Sequence, residues 1–405
     1  MMQLQGKRIV LGLTGGIACY KAAELVRRLT EHGCSVHVVM TQAACRFITP
    51  VTFQALSGNP VYTDLWDPRA DNNMAHIDLT RQADLVVIAP ASTDFMAKLA
   101  HGLADDLLST LCIASPRDLL VAPAMNREMW LAPATQRNVQ QLRDDGVHIL
   151  GPAAGEQACG EIGDGRMLEP HEILACIRAH FTPKKLDGLR LLITAGPTCE
   201  PIDPVRMITN RSSGKTGYAI AQAAHDAGAQ VTLVSGPTAL PCPYGIKRIN
   251  VQTAQEMYTA VMQDVVDHDI FIAVAAVADW RVRNASNQKL KKTSTNETPA
   301  LEFEQNPDIL ASVAALPNAP WCVGFAAETT LDPQQAQEKR LRKGVPLLIG
   351  NLAQNVMDKN ETQVELFDDQ GQISLPFGHK TQTAHLIIDE VAKRYTAQRG
   401  STTHD

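Results

Sequence analysis

The chain has 405 residues, with 37 lysines and arginines against 43 aspartates and glutamates and a formal net charge of −6. That length exceeds one ordinary core and predicts two domains, while an acidic balance without a basic stripe in either half excludes nucleic acid as a natural partner. No segment reaches the roughly 18 uninterrupted apolar residues of a membrane helix, the first residues run directly into a strand, and nine cysteines stand without one CxxC pair. Free thiols in a reducing cytoplasm, with no membrane association, are the expectation.

Arg8 to Leu13 reads as a buried strand, Thr14-Gly15-Gly16 as a tight turn, Ile17 to Arg28 as a helix and Val36 to Met40 as the next strand, a βαβ opening. The glycines at Gly12, Gly15 and Gly16 miss the GxGxxG spacing, and the second strand ends in Thr41 where a ribose-binding acid would stand. A mononucleotide such as FMN, its phosphate on backbone N–H groups, fits better than NAD; a turn that uses glycine for sterics alone fits equally. Strands at Leu85 to Pro90 and Leu119 to Ala122 open onto Ala91-Ser92-Thr93 and Pro123-Ala124-Met125-Asn126, small polar residues where a doubly wound sheet binds ligands.

Three side chains here can carry chemistry. His76 precedes a short polar and apolar alternation and suits a base near neutral pH, although a lone histidine is more often structural. Asn126 suits a carboxylate or the cap of the next helix. Cys159 lies in the glycine-dense GEQACGEIGDGRM, read as an exposed mobile flap, whereas Cys19 and Cys112 read as buried.

Residues 181–187, with a proline and two lysines, read as a linker between domains at 1–180 and 188–398, and 399–405 as a disordered tail. The second domain opens on Leu191 to Ala195 and continues with strands at Gln230 to Ser235, Asp269 to Val277, Trp321 to Ala326 and Pro346 to Ile349. Val364 to Phe367 and Ile373 to Leu375 flank a hairpin turn, and His385 to Tyr395 reads as helix. Gly214-Lys215-Thr216 looks like the end of a Walker A loop, but Thr209 stands at its first glycine and the strand has already ended. What remains is a long polar excursion carrying Arg206, Asn210, Arg211 and Lys215, suited to an anion or to solvent alone. Asp279 follows the third strand, and Lys289, Lys291 and Lys292 lie on a loop suited to a triphosphate. Lys339, Arg340, Arg342 and Lys343 form a second basic run, for which helix-end electrostatics is the plainer account.

GLTGGIACYK, the histidine of AHIDL, PAST, PAMN and ACGEIGDGRM together resemble the flavin-dependent cysteine decarboxylases, and AGPT, NRSSGKTG, AAVADW and KLKK resemble a ligase half. In this order over nearly the whole length, they make the chain resemble the bacterial bifunctional phosphopantothenoylcysteine decarboxylase/phosphopantothenate–cysteine ligase family of coenzyme A synthesis. The resemblance implies an α/β fold of two doubly wound parallel-sheet domains, a flavodoxin-like flavin domain and a Rossmann-like ligase domain. It implies FMN on Gly15, Gly16, Ile17, Thr41, Ala91 and Ser92, with His76 as base, Asn126 on the substrate and Cys159 as proton donor. For the ligase half it implies CTP with Mg2+, Asn210 and Arg206 on an acyl-cytidylate and Lys289 on the triphosphate. Ala275, Asp279, Pro307, Asp308, Ile309, Leu310, Phe325, Lys339 and Lys343 would surround the nucleotide, and metal ligands are left unassigned.

Small-molecule substrates (4′-phosphopantothenate, cysteine and CTP) and a homo-oligomer of flavin-domain trimers and ligase-domain dimers follow from the same resemblance. Asp94 departs from it, standing where many relatives carry asparagine. The competing classes are a flavin redox protein fused to an unrelated α/β domain and a regulatory flavoprotein; His76, Asn126 and Cys159 together speak against the second.

Overall fold

Runs of valine, isoleucine and leucine buried on both faces make the parallel strands of this computed structural model. It describes residues 3–66, 75–157, 160–291, 300–328, 332–352 and 360–402, without the side chains at 75, 76, 328, 352 and 400–402. The chain divides into two units, Met1–Phe181 and Thr182–Asp405.

In the first unit, β1 (Arg8–Leu13), β2 (Ser35–Met40), β3 (Val61–Tyr62), β4 (Leu85–Ala91), β5 (Leu119–Pro123) and β6 (His148–Ile149) form one parallel sheet in the order 3-2-1-4-5-6. The helices are α1 (Cys19–Glu31), α2 (Pro50–Ser57), α3 (Ala75–Gln82), α4 (Thr93–Ala100), α5 (Leu107–Ala114), α6 (Arg127–Leu131), α7 (Pro133–Asp144) and α8 (Pro170–Phe181). In α1, Cys19, Ala22, Leu25, Val26 and Leu29 recur at helical spacing and are fully buried. The alternation after His76 is too short to be a strand: it lies in α3, which turns Leu79 and, one turn on, Ala83 into the core.

The glycine-dense segment read as a mobile flap contains an antiparallel hairpin, β7 (Ala153–Glu156) and β8 (Ile162–Arg166). It docks by backbone, the Met125 N–H donating to the Gly165 carbonyl at 2.9 Å. Gly165 has φ +135°, and a Cβ there would stand 2.5 Å from the Met125 carbonyl oxygen. Cys159 lies outside the described residues.

The second unit repeats the plan. β9 (Arg190–Ala195) begins it, the hairpin β10 (Cys199–Pro201) and β11 (Met207–Thr209) follows, and α9 (Lys215–Asp226) leads to β12 (Gln230–Ser235) and β13 (Lys247–Asn250). Next come α10 (Ala254–Asp264), β14 (Ile270–Ala273), the hairpin β15 (Trp280–Val282) and β16 (Phe303–Gln305), α11 (Ile309–Ala314), β17 (Trp321–Glu328), α12 (Pro333–Lys343) and β18 (Leu347–Leu352). The chain closes with β19 (Glu361–Thr362), β20 (Glu365–Asp368), β21 (Gly371–Ser374), β22 (Gly378–His379) and α13 (Lys380–Thr402). The sheet runs β13-β12-β9-β14-β17-β18, all parallel, with β20 and β21 added antiparallel. Counted within the unit, that parallel part is again 3-2-1-4-5-6. One face packs on α9 and α13 through Tyr218, Ala221, Ile387 and Val391, the other on α10 and α11 through Met257, Val261 and Val313.

Four expectations are corrected here. The third strand stops at Ala273, not Val277, because the Val274 and Ala275 N–H groups both turn to Thr194 Oγ1 at 3.2 Å. The polar excursion after Gly196 is the β10–β11 hairpin. Residues 181–187 do not form a free linker: Phe181 ends α8, Leu186 is fully buried in the second core, its N–H donates to the Ala227 carbonyl, and Lys184 Nζ donates to the Asp226 carbonyl at 2.8 Å. Nor does a disordered tail begin at 399, since α13 continues to Thr402.

At the ends of β9 and β12 the chain approaches itself so closely that a Cβ on Gly236 would lie 1.8 Å from the Pro197 carbonyl oxygen. Gly236→Ala is therefore expected to destabilise the second unit by about 3 kcal/mol or more, read as a lower midpoint in chemical denaturation; an unchanged midpoint would show that the Pro197 turn yields freely.

Candidate active sites

In the first unit the strand order reverses between β1 and β4, which opens a crevice at their carboxyl ends. A cleft of about 670 Å³ lies there, lined by Gly15, Gly16, Ile17, Ser92, Met125 and Asn126 among others. Thr14 ties the two strand ends together, its Oγ1 donating to the Pro90 carbonyl and accepting the Ser92 N–H, both at 2.8 Å. Ser92 caps α4 by accepting the Phe95 N–H at 3.3 Å. Helix α1 starts differently: its N-cap is Ala18, with no side-chain acceptor to offer, and its first turn holds no acid. The N–H groups of Cys19, Tyr20 and Lys21 turn back to the Gly16, Ile17 and Ala18 carbonyls at 3.1, 3.5 and 3.0 Å, so what this helix start offers the cleft is the positive end of its dipole.

The fit to a flavin phosphate rests on Gly16. A Cβ on Gly15 would lie 2.6 Å from the Ala43 Cβ, so packing alone requires glycine there, whereas a Cβ on Gly16 would meet nothing within 4 Å. Gly16 borders the cleft, so what its missing side chain clears is room for a ligand.

Asn126 caps the next helix, the structural one of its two expected jobs, and its amide group meets a carboxylate of the protein itself. Its Oδ1 accepts the Glu128 and Met129 N–H groups at 2.7 and 3.4 Å, capping α6, while its Nδ2 donates to Glu161 Oε2 at 2.5 Å at the hairpin tip. Thr41 and Ala91 are not among the cleft-lining residues: the Thr41 hydroxyl accepts the Ala44 N–H, and Ala91 is buried. His76 lies on α3, with its side chain outside the described residues. Asp94 is exposed in the first turn of α4, where the helix dipole favours a carboxylate. Burial pushes the Cys19 thiol up and the Cys112 thiol further up, so neither is a ready nucleophile.

Sequence reasoning passed over Lys21 and Glu161. Lys21, nearly buried beside the cleft, donates to the Met167 carbonyl at 3.1 Å and to Glu169 Oε1 at 2.7 Å. Burial alone would raise the Glu169 carboxyl, but Lys21 and Arg166 outweigh it and hold the group below its usual range. The available signal was a lysine at helical spacing among Ala18, Ala22 and Leu25.

In the second unit α9 again begins without a side-chain cap, at Gly214 with φ +77°, and with no acid in its first turn. Asn210 Nδ2 donates to the Ala276 carbonyl at 3.1 Å, next to Ala275. Asp203, also unforeseen, organises the cationic side. Its buried carboxylate accepts the N–H groups of Val205, Arg206 and Leu290 at 2.8, 2.9 and 3.1 Å, and Arg206 Nη1 reaches both Asp203 and the Leu290 carbonyl at 3.3 Å. Burial would raise that carboxyl, but the backbone donors and Arg206 bring it below the ordinary range. Arg206 and the exposed Lys289 are thus held on neighbouring turns.

Farther along, Asn306 receives the backbone of this edge, its N–H donating to the Asp279 carbonyl and its Nδ2 to the Ala278 carbonyl. Asp308 caps α11 through the Ala311 N–H at 3.1 Å and pairs with Lys343; Lys339 lies one helical turn before Lys343. Phe325 and Leu310 pack partly buried against the cores, whereas Ile309 turns its side chain fully into one, so that Ile309 offers a nucleotide its backbone. Pro307 is half-buried just before the cap. A cleft of about 380 Å³ at the ends of β12 and β13 and another of about 620 Å³ by Asp269 and Trp321 contain none of these expected residues.

Two family models cover the chain: one described as Flavoprotein matches residues 2–182, and one described as DNA/pantothenate metabolism flavoprotein C-terminal domain matches residues 186–395. The coenzyme A biosynthesis bifunctional protein CoaBC of Vibrio cholerae serotype O1 is 51% identical over 399 residues, covering 96% of this chain and 100% of that protein. The protein of the same name from Escherichia coli K12 is 49% identical over 400 residues, covering 97% and 98%. This chain belongs to that family of bifunctional coenzyme A biosynthesis proteins. A crystal structure of the C-terminal domain of a CoaBC protein is 37% identical and covers 53% of this chain and 99% of its own, with a TM-score of 0.45. In this bifunctional family the first unit is the flavin-binding half. Among the described residues, no helix is long and apolar enough to cross a membrane.

The contrast at the flavin cleft gives an expected outcome. Gly16→Ala should leave the melting temperature unchanged, since nothing in the protein meets the new methyl, but weaken flavin binding at least about tenfold, or ~1.4 kcal/mol. Fluorescence titration of flavin-free protein measures it; unchanged affinity would mean that the ligand does not approach this glycine.

Proposed function

We propose that this bifunctional coenzyme A biosynthesis enzyme joins 4′-phosphopantothenate to cysteine with CTP in its second unit, then decarboxylates the product with FMN in its first. The observation that supports the reading is that in each unit the first helix starts at the strand ends with no side-chain cap and no acid in its first turn, so that its positive end is open to an anion. Relatives of about half identity over nearly the full length support it.

In the ligase step a bare carboxylate cannot be attacked by an amine, because oxide is too poor a leaving group. Transfer of the cytidylyl group from CTP expels pyrophosphate and leaves CMP to depart when the cysteine amine attacks. Lys289 holds the triphosphate, Arg206 and Asn210 steady the acyl-cytidylate, and Ala275, Asp279, Phe325, Lys339, Lys343 and the 307–310 backbone surround the nucleotide. Mg2+ accompanies CTP and offsets its charge.

In the decarboxylase step bound FMN would supply a two-electron oxidation of the cysteinyl thiol to a thioaldehyde, give carbon dioxide loss its electron sink, and return the pair afterwards. Gly15, Gly16, Ile17 and Ser92 hold the FMN phosphate side, with Thr41 and Ala91 supporting from the neighbouring strand ends. His76 takes a proton from the substrate and Cys159 gives one back to the enethiolate. The substrate carboxylate replaces Glu161 as the acceptor for Asn126 Nδ2. Eight described cysteines are free thiols, which suits a cytoplasmic location.

Large exposed apolar residues on the first unit, including Ile17, Phe47, Val51 and Trp66, suit a contact with further copies. Flavin-unit trimers joined through ligase-unit dimers are the proposed assembly. Light scattering of the active protein should give a multiple of the 44.0 kDa chain, and a fully active monomer overturns it.

Asn126→Ala should lower stability by about 1 kcal/mol through the lost cap, whereas Asn126→Asp keeps the cap but sets a second carboxylate against Glu161, a contact that the exposed hairpin tip must open. Both should lose decarboxylation, while Cys159→Ser should release carbon dioxide yet accumulate a product two hydrogens lighter than 4′-phosphopantetheine. Carbon dioxide release and product mass are the readouts; normal product from Cys159→Ser removes it as the donor.

Asn210→Asp should still release pyrophosphate from CTP but form the amide ~10² to 10³ slower, so that acyl-cytidylate becomes detectable. Lys289→Gln should instead block pyrophosphate release. If both variants lose the same half-reaction, this division of roles is wrong.

A further inference from the structure

Asp118 immediately precedes β5, His148 opens β6, and His180 lies in the last turn of α8. They sit at the amino ends of these strands, whereas Asn126 lies beyond the carboxyl end of β5, so the three are at the opposite end of the sheet from the flavin cleft. One ligand atom from each lies within 4.8 Å of the other two, and His180 Nε2 stands 3.5 Å from Asp118 Oδ2. A tetrahedral ion with bonds of ~2.0–2.1 Å places its ligand atoms about 3.3 Å apart, close to the separation already present in that pair.

We propose that Asp118, His148 and His180 form a binding site for a divalent transition metal ion of the zinc class, with water as the fourth ligand. Two imidazoles and one carboxylate are the donor set that borderline ions take, whereas Mg2+ and Ca2+ take oxygen donors. The two imidazole rings are crossed at 70° with centroids 6.0 Å apart, so a nitrogen of each can converge on one point. Phe181 packs edge-on to His180 at 5.1 Å and walls the site on one side. Asp118 and His148 are exposed, which leaves an entry path from solvent. The cation facing this corner, Lys7, lies over the Phe181 ring at 4.8 Å and pairs with Asp84 at 3.5 Å, which offsets its charge. Bound metal would fasten the end of α8 to the sheet edge, two elements far apart in sequence, and would stabilise the first unit by binding only its folded form.

The test uses metal-free full-length protein and Co2+ as the probe, because the cysteines could also take up metal and cobalt spectra distinguish sulfur from nitrogen and oxygen ligands. The expected result is one Co2+ per chain with tetrahedral visible bands, no sulfur-to-cobalt charge-transfer band, displacement by Zn2+ and a higher melting temperature. Asp118→Asn and His148→Ala, both at exposed positions, should each weaken binding at least about tenfold while retaining bound flavin, which reports that the unit is folded. A sulfur-ligated spectrum, equal binding in both variants, or no uptake at micromolar cobalt overturns the proposal and leaves an aromatic cluster with a His180–Asp118 contact.

Discussion

The crevices at the carboxyl ends of both sheets depend on one constraint: six parallel strands in the order 3-2-1-4-5-6 must send their helices to opposite faces on either side of the first strand. The helices part there, and the carboxyl ends of the strands are left uncovered. In each unit the first helix starts at that gap, α1 behind Ala18 and α9 behind Gly214, and neither N-cap residue has a side chain able to accept the helix N–H groups. Other helices around these sheets do have one: Ser92, Asp106, Asn126, Thr253 and Asp308 all cap by side chain. Of the helices without a side-chain cap, which include α2 and α7, α1 and α9 start at the crevices, where the positive helix end favours an external anion.

The walls of each crevice are then brought in by backbone contacts. In the flavin half the docking of Gly165 on Met125 fixes the hairpin, and with it the place of Glu161 beside Asn126. In the ligase half the buried Asp203 carboxylate gathers the turn before Arg206 and the loop at Leu290 into one unit. An ionised carboxylate is tolerable at that depth because several donors converge on it. Arg206 and Lys289, the cations proposed to meet the substrates of this half, are thereby left at the surface, while the anion that positions them is hidden.

Strands were legible in the sequence because a buried parallel strand is a short apolar run that ends in glycine, proline or a small polar residue, and β1, β4, β9 and β12 all have that form. What could not be read depended on partners distant in the chain. The end of β14 is set by the hydroxyl of Thr194, 80 residues earlier. Leu186 is one apolar residue in a polar stretch, and only the second core reveals that it is an anchor. The hairpin around Cys159 has too few side chains to show a period of two. Lys21 and Glu161 join the flavin cleft through partners 146 and 35 residues away. The catalytic roles proposed for Asn126 and Asn210, by contrast, rest on resemblance alone, since neither differs by local pattern from an ordinary capping or loop asparagine.

The basic run on α12 shows how helical periodicity divides charges that look equivalent in sequence. Arg340 turns inward, nearly fully buried, and donates to the Val345 carbonyl and to Asp369, which ties α12 to the β20–β21 turn. Lys339 and Lys343, four residues apart, share another side, and Lys343 pairs there with Asp308. Burial would raise the Asp308 carboxyl, but Lys343 and the Ala311 N–H outweigh it and keep it ionised. On the proposed function, a nucleotide phosphate at Lys343 would compete with a carboxylate already in place. It can do so without loosening the fold, because the Ala311 N–H still holds Asp308 at the start of α11 when the lysine swings away. An ion pair at this position keeps the lysine oriented toward the start of α11, where Asp308 caps the helix.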